Sequence, residues 1–125
     1  MREERSDPII LKQDLSKEFL TSERCFIFES LNEQYDSLSV ARARVAPGIT
    51  TKWHCVEGTV ERYIVAEGKG RVEIGDMPSD DVGPGDVILI PAGVRQRIAN
   101  IGNKDLIFYC VCTPPFSQDR YRELE

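Results

Sequence analysis

From residue 37 onward the chain is interrupted by Gly- and Pro-containing turns spaced roughly eight to twelve residues apart, and this rhythm limits the fold more than any other feature. The punctuation includes Pro47-Gly48, Glu57-Gly58, Gly75-Asp76, Pro91-Ala92-Gly93 and Gly102-Asn103. Between the turns lie short runs rich in β-branched and aromatic residues: 38–45, 50–56, 61–66, 71–74, 87–90, 96–100 and 106–112. Seven short strands in this pattern predict an all-β sandwich or barrel, not βαβ units.

The 125 residues, 41% of them hydrophobic, suffice for one domain with one core. Residues 1–36 read as an N-terminal extension with a short strand at Cys25-Phe26-Ile27-Phe28 and a loop or helical turn over 14–19. The barrel segment is 37–113, and the polar tail 114–125 is expected to pack on the surface or on a partner subunit. Net charge is -5 with no basic run, which argues against a nucleic-acid partner. No stretch approaches the roughly 18 apolar residues of a membrane-spanning helix. The charged start has no apolar core behind it, so it does not read as a signal peptide, and a cytoplasmic setting is expected. Cys25, Cys55, Cys110 and Cys112 form no C-x-x-C pair and are expected to stay reduced. Cys110 and Cys112, two apart, point to one side of a strand and read as small core residues. His54 is the single histidine, which narrows the available chemistry.

A two-residue hairpin loop at Glu57-Gly58 would pair Val56 with Thr59, Cys55 with Val60 and His54 with Glu61. An imidazole directly opposite a carboxylate can help bind a divalent metal, work as a general acid/base couple, or simply make a cross-strand hydrogen bond.

Beyond that pair, the chain resembles the cupin superfamily. The first cupin motif, G-x5-H-x-H-x3-4-E-x6-G, is matched in spacing by Gly48, His54, Val56, Glu61 and Gly68. The second, G-x5-P-x-G-x2-H-x3-N, is matched by Gly85, Pro91, Gly93, Gln96 and Asn100. The resemblance covers roughly residues 37–113 and implies a double-stranded β-helix, the jelly-roll barrel that limits exposed sheet edges. It also implies a metal held by three histidines and one glutamate. Here Val56 replaces the second histidine and Gln96 the third, which leaves His54, Glu61 and Gln96 as a thinned ligand set for one weakly held Mn, Fe, Ni or Zn ion.

Strand alternation places Lys52 with His54, where it could attract an anionic ligand, and Tyr63 with Glu61 as a pocket-lining residue. Arg62, Ile64, Arg95 and Arg97 then point away, Trp53 reads as packing or a dimer contact, and Arg42 and Arg44 share a face suited to salt links. Small cupins also lead one to expect a homodimer, with the strand around Phe26-Ile27-Phe28 pairing on the partner's sheet. Two functions remain open beside a scaffold subunit with a vestigial pocket. One is a metal-assisted enzyme doing Lewis-acid or proton-transfer chemistry on a small polar carbonyl compound or sugar acid. The other is a metal-free small-ligand-binding or sensing module, favoured by the lost histidines. Fold alone does not choose between them.

Overall fold

The structure, a computed structural model, describes residues 7–125. Among the described residues eleven strands run in order: β1 (Phe19–Leu20), β2 (Phe26–Leu31), β3 (Ser39–Val45), β4 (His54–Val56), β5 (Val60–Glu67) and β6 (Gly70–Ile74). They continue with β7 (Asp80–Val82), β8 (Val87–Ile90), β9 (Gln96–Asn100), β10 (Leu106–Thr113) and β11 (Tyr121–Glu123). Short 3-10 turns at Leu15–Lys17 and Gln118–Arg120 are the only helical elements among the described residues.

All pairings are antiparallel and form two sheets, a six-stranded one ordered β1-β2-β3-β10-β5-β8 and a five-stranded one ordered β11-β4-β9-β6-β7. This is the all-β fold expected from the turn rhythm, in the jelly-roll form that the resemblance implies. Side-chain alternation fills the space between the sheets. On β5, Glu61, Tyr63 and Val65 face in, while Arg62 and Ile64 face out. Val45 and Leu106 (0% exposed) and Ile90 and Ile98 (1%) lie at the centre, each stabilising the fold by roughly 1.5–3 kcal/mol.

Two motif residues serve this architecture. Gly68 has φ +86°, and a Cβ there would lie 2.7 Å from the Asp105 carbonyl oxygen, so only glycine fits. Asn100, buried, donates through Nδ2 to the carbonyls of Val45 and Lys104, both at 2.8 Å, and accepts from Gly102 N at 2.9 Å. It thereby ties the β9–β10 loop to β3.

The termini belong to the barrel. β2 pairs with β3 of its own chain, Phe26 opposite Arg44. Glu18 anchors the extension by receiving Arg44 Nη2 at 2.7 Å and Arg42 Nη1 at 3.3 Å, which makes the expected salt link of these arginines an internal one. In the tail, β11 pairs with β4, Glu123 opposite His54.

The turn at Glu57-Gly58 does not make the expected hairpin. β4 is flanked by β11 and β9, and β5 by β10 and β8, so the turn carries the chain from one sheet to the other. His54 lies opposite Gln96, and Glu61 lies opposite Cys112 and Ile90. The hairpin rule presumes that consecutive strands pair, and at a jelly-roll corner they do not.

Candidate functional site

Between the sheets a cavity of about 150 Å³ is lined by His54, Glu61 and Tyr63, and also by Glu23 and Tyr121 from the two ends of the chain. His54 opens β4 and is 4% exposed. Its Nδ1 donates to the Lys52 carbonyl at 2.8 Å, and Glu23 Oε2 lies 3.1 Å from the same nitrogen. Two acceptors at Nδ1 keep the proton there, so in the neutral ring Nε2 carries the lone pair. The Tyr121 ring stacks on the imidazole with centroids 5.3 Å apart, and its hydroxyl donates to Glu23 Oε2 at 3.3 Å. Burial raises the Glu23 carboxyl above its usual range, opposed by His54 and the Tyr121 hydrogen bond.

The loop that presents Glu23 is tightly pinned. Thr21 N and Oγ1 both donate to the Cys25 carbonyl, at 2.9 and 2.8 Å, and Lys52 N donates to the Glu23 carbonyl at 3.2 Å. Arg24, the residue between, has φ +73°, a strained conformation for a side-chain-bearing residue, and its Nη1 donates to the Thr50 carbonyl at 3.0 Å.

A chain of hydrogen bonds joins Tyr63 and Glu61 of β5 to Gln96 of β9, across the two sheets. Tyr63 donates its hydroxyl to Gln96 Oε1, and Gln96 Nε2 donates to Glu61 Oε1 at 2.5 Å. Cys112 Sγ approaches Glu61 Oε2 at 3.8 Å. Burial raises the Glu61 carboxyl, against the lowering effect of Gln96 and His54. The same burial lifts Tyr63 well above its ordinary value and Cys112 to about 12, so both stay protonated near neutrality.

His54, Glu61 and Tyr63 thus reach the cavity, and Val56 lines it as well. Gln96 stands behind it, 1% exposed, holding Glu61. Lys52 does not join them: its Nζ pairs with Glu123 at 3.3 Å. Residues 50–53 are not a regular strand, which breaks the alternation, and Thr51 turns inward instead. Its Oγ1 bonds with both N and O of Ile98, at 3.0 and 3.3 Å. Trp53 packs between Arg95 and Arg97, 4.7 and 4.5 Å from its ring. Cys110 and Cys112 share a face as expected, but that face lines the cavity.

Glu23 and Tyr121 escaped sequence reasoning. Neither belongs to a spacing pattern, and the one available signal was that Tyr121 is the sole aromatic residue in 117–125.

The donor set does not fit the metal that the four-ligand pattern implies. Val56 has no donor atom and Gln96 Oε1 accepts from Tyr63, so only His54 Nε2 and the Glu61 carboxylate are left of the four expected donors. Among the described residues no three His, Cys, Asp or Glu side chains are grouped to hold a metal ion.

The sequence matches the cupin domain family over residues 41–112, and the chain belongs to that family. The uncharacterized protein MJ1618 of Methanocaldococcus jannaschii is 33% identical over 115 residues, covering 90% of this chain and 91% of that protein. Among solved structures, Streptomyces PAC13, in a histidine variant with uridine, superposes with a TM-score of 0.78 at 16% identity, covering 95% of this chain and 92% of that one. Pac13 is described as a nucleoside dehydratase. The Lactobacillus farciminis oxalate decarboxylase formate complex gives 0.75 at 21% identity over 86% of this chain, which spans only 33% of that enzyme. Cupins similar in fold therefore include enzymes.

Proposed function

We propose that this cupin is an acid–base enzyme that moves protons on a small polar organic molecule held in the central cavity. The observation that carries this reading is the His54 ring, held through Nδ1 by Lys52 O and Glu23 with its Nε2 lone pair free to act. In the proposed step Nε2 takes a proton from the substrate, and the Glu23 carboxylate stabilises the imidazolium that forms. The imidazolium then passes that proton to the substrate's carbonyl or departing hydroxyl oxygen, while Glu61 faces the same cavity and holds the substrate. The outcome is enolisation or loss of water. The likeness to a nucleoside dehydratase supports the reading, since dehydration is itself paired proton transfer. Ligand binding without turnover is the competing reading, and the same experiment separates the two.

That experiment is proton exchange in D2O, followed by NMR over a panel of small ketones, hydroxyketones and aminoketones. Loss of a C–H signal reports proton abstraction whatever the product. His54→Gln is expected to lower the exchange rate by about a hundredfold or more. Equal rates in the two proteins, or no exchange in either, would reject the enzyme.

The four free thiols support a reducing, cytoplasmic setting. Self-association as a homodimer is supported by the exposed apolar side chains of Ile64, Val87 and Leu89 on the β5–β8 face.

A further inference from the structure

The charges around the cavity are one-sided. Among the described residues its lining includes the carboxylates of Glu23, Glu29 and Glu61 and the His54 imidazole, but no lysine or arginine. The cations nearest in sequence are engaged elsewhere: Lys52 with Glu123, Arg42 and Arg44 with Glu18, and Arg62 with Thr113 Oγ1 at 2.7 Å. Glu61 is 6% exposed, and its hydrogen-bond partners, an amide and a thiol, are both neutral. Buried carboxylates are ordinarily balanced by a cation, and the protein provides no lysine or arginine here. Each Glu61 oxygen receives one such partner and retains a second acceptor site.

Two further observations point to a ligand. The His54 ring, 4% exposed, has no hydrogen-bond partner at Nε2 among the described residues. Aromatic faces also line the cavity: Tyr63 and Phe108 meet with ring centroids 4.6 Å apart, and Tyr121 stacks on His54. Such faces attract cations and cover hydrocarbon.

We infer that the cavity takes a small organic amine in its ammonium form, paired with the Glu61 carboxylate, and rejects organic acids. This rests on the reading of the cavity as a substrate site and names the substrate's charge class. A volume of about 150 Å³ limits the ligand to roughly benzene size. A sugar acid, one of the substrates weighed from the sequence, would meet like charge and no lysine or arginine.

The test uses three ligands of one shape on the full chain at neutral pH: cyclopentylamine, cyclopentanol and cyclopentanecarboxylate, titrated by saturation-transfer NMR. The amine is expected to bind in the millimolar range, about tenfold or more tighter than the alcohol, with no saturation by the carboxylate. Glu61→Gln is expected to bring amine and alcohol within about twofold of each other, with circular dichroism confirming the fold. The inference is overturned if the carboxylate binds as well as the amine, if the amine's advantage survives Glu61→Gln, or if none of the three saturates by about ten millimolar. The unaltered chain alone decides the charge preference should the variant fail to fold. The outcomes also separate this inference from the acid–base reading. An amine preference without His54-dependent exchange keeps the inference and removes the catalyst, and a carboxylate preference with such exchange does the reverse.

Discussion

Glu61 is buried against an amide, a thiol and hydrocarbon, so folding makes its proton harder to remove. A carboxyl raised above 4.5 in the folded state binds its proton more tightly there than in the unfolded chain. Its contribution is full below the unfolded value and is lost as pH rises through the folded one. Glu23 has the same sign, whereas Glu18, lowered mainly by Arg44, contributes above its unfolded value and loses that contribution in acid. Urea unfolding between about pH 5 and pH 8 should therefore show a flatter decline in stability for Glu61→Gln than for the unaltered chain. Identical slopes would mean that Glu61 titrates as it does in water. Motif spacing alone placed His54, Glu61 and Gln96 inside the barrel. It could not supply their partners, because the carboxylate beside His54 is Glu23, thirty-one positions earlier in the chain, and Gln96 holds Glu61 where ligation was expected.

At the scale of elements, legibility follows the hydrophobic pattern. β3, β5, β9 and β10 bury residues in alternation or in runs, with Val45, Val65, Ile98 and Phe108 among them, and the sequence announces them. β7 and β11 read Asp-Asp-Val and Tyr-Arg-Glu and carry no such signal. They become strands because β6 and β4 offer open edges, reinforced by ion pairs such as Arg71 with Asp81 at 2.7 Å. β11 is held at Leu124 N, which donates to the Trp53 carbonyl at 2.9 Å, and by Lys52 with Glu123. Its contribution to the site is the Tyr121 ring. Tyr121→Ala should keep the barrel, since no residue of β11 is in the core, and lower unfolding free energy by about 1–2 kcal/mol. Urea denaturation measures this, and an unchanged midpoint would show that the stack and the hydroxyl bond contribute nothing.

For the whole molecule, the six-stranded sheet ends in β8, whose Val87 and Leu89 are 62% and 60% exposed. An apolar edge left in water invites another copy. Sedimentation at micromolar concentration is expected to give a dimer for the unaltered chain and a folded monomer for the double variant Val87→Lys, Leu89→Lys. A monomer for the unaltered chain would refute self-association. One feature of the site bears on how the molecule forms. The hydroxyl of Tyr121 meets Glu23 across a separation of 98 residues, so this contact closes a loop of most of the chain. Contacts of such range are slow to form because the entropy of loop closure must be overcome first. The barrel can gather around its apolar centre before this ring settles on the imidazole. The His54 centre would then be among the last parts to assemble during folding and the first to come apart under mild denaturant, so the proposed His54-dependent proton exchange should fade before the barrel melts.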